Sequence, residues 1–157
     1  MKLLLDTTYF LPVIGISIKG IPKDTVVRLM KRGHEILVSE ITIFELLAKG
    51  ARYAALGVLS TERILRGIRA LLYDERIYRV PIYDTVMLLT AFRIRKLLND
   101  FIDCLILASA INQAEVLVTE DENILELFNA KEFQELIREL NPKFKIKRLK
   151  DVIESIE

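Results

Sequence analysis

Three short, unbroken apolar runs constrain the fold most: Leu3-Leu4-Leu5, Ile36-Leu37-Val38 and Val116-Leu117-Val118. A strand with one wet face alternates apolar and polar residues. A run that is apolar at every position is buried on both faces, as in a parallel sheet covered by helices. Each run is followed at once by a polar residue, Asp6, Ser39 or Thr119. The stretches between the runs carry helical periodicities. Alternation of this kind predicts an α/β protein, a three-layer α/β/α domain around a central, mostly parallel sheet. At 157 residues and 52% hydrophobic, the chain fits a single domain spanning residues 1–157.

The elements follow from local signals. Strands are predicted over 2–5, 35–38 and 115–118, with a weaker edge strand over 77–82 because Pro81 cannot donate to a ladder. A terminal strand is predicted over 144–149. Helices are predicted over 22–32, stopped by Gly33, and over 39–49, capped by Ser39 and ending near Gly50. Residues 51–59 continue as a helical or mixed piece. Thr61 caps a helix to Leu72 lined by Ile64, Leu65, Ile68 and Leu72. Further helices are predicted over 83–98, from the Asp100 cap to Gln113, over 123–128 and over 131–140. Val86, Leu89, Arg93 and Lys96 mark one face of the 83–98 helix, and Phe92 and Leu97 lie off it. Residues 9–20, interrupted by Pro12, Gly15 and Gly20, carry no clear pattern.

Four acids sit at or inside apolar segments: Asp6 ends LLLD, Glu45 interrupts ITIFELLA, Asp103 opens DCLILASAI, and Asp121 closes VLVTED. Isolated ionised carboxylates are costly to bury, and neighbouring ones repel. If the four converge, a hard divalent cation, Mg²⁺ or Mn²⁺, is the natural compensating charge because it takes oxygen ligands. Ligands of parallel sheets bind beyond the carboxyl ends of the strands, where Asp6 and Asp121 fall. Each acid also has a purely structural reading. Asp6 can start a turn, and Asp103 suits the third position of a helix capped by Asp100. Glu45 can be a solvated helix position, and Asp121 can open a helix capped by Thr119 with Glu122 as partner. Asp100, Glu120 and Glu122 read first as caps or wet surface, with Asp100 the best auxiliary ligand.

Composition narrows the classes. A net charge of +1 marks no general nucleic-acid coat and leaves room for local basic patches. One cysteine, Cys104, and one histidine, His34, argue against disulfide frameworks and against thiolate or multi-histidine metal sites. Cys104 reads as core and His34 as surface. Asp6 breaks the apolar start and the apolar runs are too short to span a bilayer, so a cytoplasmic protein with no membrane partner is predicted.

The motifs LLLDTTYF, SEITIFEL, DFIDCLILASA and LVTED, in this order, resemble the PIN-domain family, especially its small VapC-type members. The resemblance runs from residue 2 to about 149, and is weakest over 9–20 and in the final tail. It implies that Asp6, Glu45 and Asp103 bind a divalent metal and that Asp121 completes the set. Thr119 then orders the site, and Thr8 and Ser39 supply neighbouring hydrogen bonds. It implies a Mg²⁺- or Mn²⁺-dependent ribonuclease, in many members a toxin paired with a small antitoxin protein, and a homodimer. Products with a 5′-phosphate and a 3′-hydroxyl are expected. Lys49, Arg52, Arg63, Arg66 and Arg69, and separately Arg93, Arg95 and Lys96, are candidate phosphate contacts or ordinary wet helix faces. Leu56, Leu59, Leu65 and Leu72 suit either dimer packing or the core. A DNA nuclease, an RNA-processing nuclease outside any toxin system, and a non-catalytic RNA-binding regulator are the alternatives.

Overall fold

A computed structural model describes residues 1–154; the last three residues of the expected 1–157 domain lie outside the described residues. Five strands form one sheet: β1 (Lys2–Leu5), β2 (Glu35–Ser39), β3 (Ile77–Val80), β4 (Val116–Val118) and β5 (Lys145–Lys147). Their order is β3-β2-β1-β4-β5, and every pairing is parallel. The three apolar runs are therefore the central strands, where burial on both faces requires them. The chain leaves β1 first toward β2 and later adds β4 on the other side. This reversal lies between β1 and β4, in register at Leu5 and Val118, and is the place where such sheets open a crevice.

Eight α-helices cover the sheet among the described residues: α1 (Thr25–Lys31), α2 (Glu40–Ala55), α3 (Thr61–Tyr73), α4 (Thr85–Arg95), α5 (Phe101–Gln113), α6 (Glu122–Leu127), α7 (Lys131–Leu140) and α8 (Leu149–Glu154). Two apolar cores result. One packs α4, α5 and α7 against Leu4, Leu37 and Leu117; the other packs residues 9–16, α1 and α3 against Leu3, Leu5, Ile36 and Val116. Alternate residues of the same strands feed opposite cores, as pleating dictates.

Several local expectations are corrected. Residues 7–14 form a 3-10 helix, capped by Asp6 and stopped by Gly15 at φ 100°. The helix predicted to end near Gly50 continues to Ala55, because Gly50 is where α3 crosses it. A Cβ on Gly50 would meet Ile64 Cγ2 at 2.7 Å. Gly67 has the same role against the 3-10 helix, since a Cβ there would run into the Val13 carbonyl. Leu149 starts α8 instead of ending β5. His34 is buried, not on the surface, and neither ring nitrogen has a hydrogen-bond partner. The inward face of α4 is Met87, Thr90, Ala91 and Ile94, while Val86, Leu89 and Phe92 face outward. On α3, Leu65 is exposed and Leu71 takes its place in the core. Leu59 and Leu72 pack against the core, and Leu56 is exposed. Cys104 is buried as expected.

Candidate active site

Asp6 follows β1 directly, and its backbone N–H donates to Val118 O at 3.0 Å. Its carboxylate is held from both sides. The Thr7 N–H donates to Oδ1 at 2.7 Å, and Thr119 Oγ1 donates to Oδ2 at 2.7 Å. Thr119 is fully buried at the end of β4. Its hydroxyl also accepts from the Asp121 N–H at 3.0 Å, so one side chain sets the positions of two acids. Thr119 does not cap α6; Asp121 does, accepting from the N–H groups of Asn123 and Ile124 at 2.8 and 3.2 Å through Oδ1. Its other oxygen takes no part in that cap.

Glu45 lies one turn into α2, beyond any cap. Thr7 Oγ1 donates to its Oε1 at 2.5 Å. With its single proton committed there, the Thr7 hydroxyl is left to accept from Thr42 Oγ1, 3.2 Å away. The residue predicted for this role is Thr8, but Thr7 is the one that turns inward. The Ser39 hydroxyl is likewise not a site ligand or a helix cap: it meets Ser109 Oγ at 2.9 Å inside the core. Asp103 lies in the first turn of α5, capped by Asp100, which accepts from the N–H groups of Ile102 and Asp103 at 2.8 and 3.4 Å.

The charges of these groups act on one another. Burial pushes the Asp103 carboxyl up to about 7, with Asp100, Asp6, Asp121 and Glu45 all adding repulsion. Burial also raises Asp6, opposed by its bonds from Thr119 and Thr7; Asp121 raises it further and Lys49 lowers it. Glu45 is raised by burial, lowered by the Thr7 bond and by Lys49, and raised by Asp6 and Asp100. The elements thus bring Asp6, Glu45, Asp103 and Asp121 within each other's field at the carboxyl edge of β1 and β4, with Asp100 beside them. Lys49, one turn beyond Glu45, is the cation that offsets this field.

Other predicted groups have other duties. Arg63 donates to Val13 O at 2.7 Å and ties α3 to the 3-10 helix. Arg93 makes a two-pronged ion pair with Glu139. Arg52, Arg66, Arg69, Arg95 and Lys96 are exposed. Sequence reading missed one network beside the acids. Tyr9 Oη donates to Glu120 Oε1 at 2.8 Å, which also accepts from the Leu149 N–H at 3.0 Å. Arg148 pairs with Glu120 at 3.5 Å and Glu122 at 2.6 Å. This network fixes the 119–122 turn to the start of α8. Its only sequence signal is the charge run TEDE facing KIKR.

The donor set fits a hard divalent ion: oxygens only, a surplus of negative charge, and no nitrogen or sulfur ligand. Among the described residues, no three acid, histidine or cysteine side chains are already drawn to the spacing of one coordination shell. The chemistry of the donors therefore fits an ion more closely than their present rotamers do.

A family model for the PIN domain matches residues 3–129. The chain belongs to the PIN-domain family. PIN domains are generally nucleases, and all four acids fall inside the matched span. Two solved structures share this PIN fold. One is VapBC2 from Rickettsia felis, bound to a DNA fragment from its promoter. It matches with TM-score 0.58 and 17% identity, over 94% of this chain and 98% of that one. The other is VapBC-5 from Mycobacterium tuberculosis, a member of the VapBC family of toxin-antitoxin systems. It matches with TM-score 0.53 and 19% identity, again over 94% and 98%. A comparison with curated protein sequences gives no match. No helix among the described residues is long and apolar enough to cross a membrane.

Proposed function

We propose that this PIN-domain protein is a cytoplasmic, divalent-metal-dependent ribonuclease that hydrolyses RNA phosphodiester bonds, the toxin of a toxin–antitoxin pair. One observation carries the reading. The carboxyl of Asp103 is pushed up to about 7 by burial, and its own helix cap Asp100 and three acids from elsewhere in the chain, Asp6, Asp121 and Glu45, add to the push. A fold tolerates such crowding where a counter-charge belongs, and burial plus specific charge partners mark functional positions.

In this reading Asp6, Glu45, Asp103 and Asp121 hold Mg²⁺ or Mn²⁺, which polarises the phosphate and activates water when bound. Thr119 keeps Asp6 and Asp121 at a fixed separation, and Thr7 keeps Glu45 turned toward Asp6. Such supporting bonds stop ligands from collapsing away from the ion. Lys49 limits repulsion before the ion arrives. Exposed Arg66 and Arg69 are suited to the RNA backbone. The likeness to VapBC structures supports the toxin role and a small antitoxin partner. Exposed Phe44, Leu56 and Leu65, and the α4 stripe of Val86, Leu89 and Phe92, give such a partner or a second copy of the chain apolar surface to cover.

The test is cleavage of end-labelled RNA and DNA with Mg²⁺, Mn²⁺ or chelator. Asp6→Asn and Asp103→Asn are each expected to fold and to lose more than about a hundredfold in rate, while Asp74→Asn, an arginine-paired acid outside the site, keeps full activity. Full activity in the Asp6 variant removes the proposed site, and a preference for DNA replaces RNA as substrate.

A further inference from the structure

A cavity of about 630 Å³ lies between the 18–22 turn, α1 and α8. It takes Ile18, Lys19 and Gly20 from the 9–20 stretch where the family resemblance is weakest, and its α8 side lies beyond the span of the family match. Ile21, Leu29 and Leu149, all buried, and Ile153 form aliphatic walls. Four cations also line it: Lys19, Arg28, Arg32 and Lys150. Arg28 is paired with Asp24, and Arg32 donates to the Ile153 carbonyl. Lys19 and Lys150 have no ion-pair partner among the described residues. The remaining polar lining includes Thr8 and Glu120. Glu120 is already satisfied by Tyr9, the Leu149 N–H and Arg148, so it offers little uncompensated negative charge.

Thr8 and Glu120 decide what the cavity is for. Thr8 is two residues from Asp6, and Glu120 lies between Thr119 and Asp121. The cavity and the acid site are therefore two sides of one wall, made of the 6–8 turn and the 119–121 segment. We infer that this cavity receives one unpaired nucleotide of the strand being cut, its base against the aliphatic walls and a phosphate toward Lys19 and Lys150. The inference rests on the nuclease reading and adds a source of sequence or structure preference to it.

Three features favour a nucleotide. The volume is within the roughly 300–1,000 Å³ of pockets that hold a compact ligand. Apolar walls with uncommitted ammonium groups suit a group that is flat and weakly polar at one end and anionic at the other. The cavity shares the 6–8 and 119–121 segments with the acids, which puts it within reach of a strand held at them. Among the described residues no aromatic ring lines the cavity, so the base gains less than on a stacking platform. A base-paired nucleotide cannot insert, so single-stranded or looped RNA is the form recognised.

The experiment uses the full chain and a short single-stranded RNA that it cleaves, with one abasic nucleotide moved along the sequence. In the unaltered protein, one position near the cut is expected to lower kcat/KM about fivefold, the low end for a base stacked on an aromatic ring. Ile153→Trp, which puts a bulky ring into the cavity, is expected to slow intact RNA by a similar factor and to reduce the extra penalty at that position. Lys19→Ala/Lys150→Ala is the second variant, outside the apolar core. It should weaken binding of the intact strand and flatten the salt dependence. A flat abasic scan with normal cleavage overturns the inference, leaves the nuclease reading standing, and gives the cavity to a protein segment. An unchanged abasic penalty in both folded variants also overturns it. Absence of any metal-dependent RNA cleavage overturns both.

Discussion

Carboxylates in two parts of this molecule are held in opposite ways. On the surface, Asp24, Asp74 and Glu139 each accept from an arginine, and that bond holds their carboxyls below the usual range. At the carboxyl edge of the sheet, Asp6, Glu45 and Asp103 are raised by burial, and their neighbours are other acids. The backbone that places the second group also places Thr7, Thr42 and Thr119, which donate hydrogen bonds without adding charge. The difference shows where stability has been set aside. Surface acids are neutralised within the chain, and the edge acids are oriented but left short of positive charge.

The contrast can be broken in several ways. The largest expected effect belongs to the orienting hydroxyl. Thr119→Val keeps the shape and removes the bonds to Asp6 and Asp121. RNA cleavage should fall by about tenfold to a hundredfold, with a weaker response to added Mn²⁺; an unchanged metal titration would make Thr119 a packing residue only. Next comes the stability of the metal-free protein. The folded carboxyl of Asp103 titrates at about 7, above its ordinary 3.8. Between those values the folded chain keeps a proton that the unfolded chain has released, so stability falls as pH rises through the window. Asp103→Asn should therefore stabilise the chelated protein by about 2 kcal/mol at pH 8, roughly half the full linkage value because solvent screens this half-buried carboxyl, and by almost nothing below pH 4, as read by urea unfolding. Asp74→Asn, removing an arginine-paired acid, should have no such gain.

A smaller effect of opposite slope comes from His34. It is 9% exposed, and burial, with the N-terminal amine and Arg32, lowers its pKa from 6.5. The unfolded chain then binds a proton below pH 6.5 that the folded chain refuses, and stability falls as pH drops from there. His34→Leu removes two unsatisfied ring nitrogens. It should help by about 1 kcal/mol at pH 5.5 and less at pH 8; equal gains at both would place the cost in packing instead.

The central strands were legible because burial on both faces leaves nothing but Leu, Ile and Val in them. The edge strands were legible with looser bounds: the strand expected over 77–82 is Ile77–Val80, and the one expected over 144–149 is Lys145–Lys147, whose KIK alternation holds only one apolar residue. Convergence of the four acids was expected from their places after strands and within helices; Asp6, Glu45 and Asp121 all act on the charge of Asp103, while among the described residues no three acids are drawn to one coordination shell. What stayed hidden depended on rotation about single helices or turns. Thr7 and Thr8 are adjacent and chemically identical, and only the 3-10 turn decides which faces Glu45. Val86 and Leu89 look like the apolar start of a helix face, but the core takes Met87, Thr90, Ala91 and Ile94 instead, where α4 packs on α5. Gly50 resembles a helix stop until a second helix is seen to cross there.

The central claim is that acids from β1, α2, α5 and the turn after β4 act as one cation site. Calorimetric titration of Mn²⁺ into the unaltered protein and into Asp6→Asn, Glu45→Gln, Asp103→Asn and Asp74→Asn tests it without reference to any substrate. The account predicts that the first three substitutions each weaken binding by tenfold or more, whereas Asp74→Asn binds as the unaltered protein does. Mn²⁺ affinity that is equal across all five proteins would contradict it.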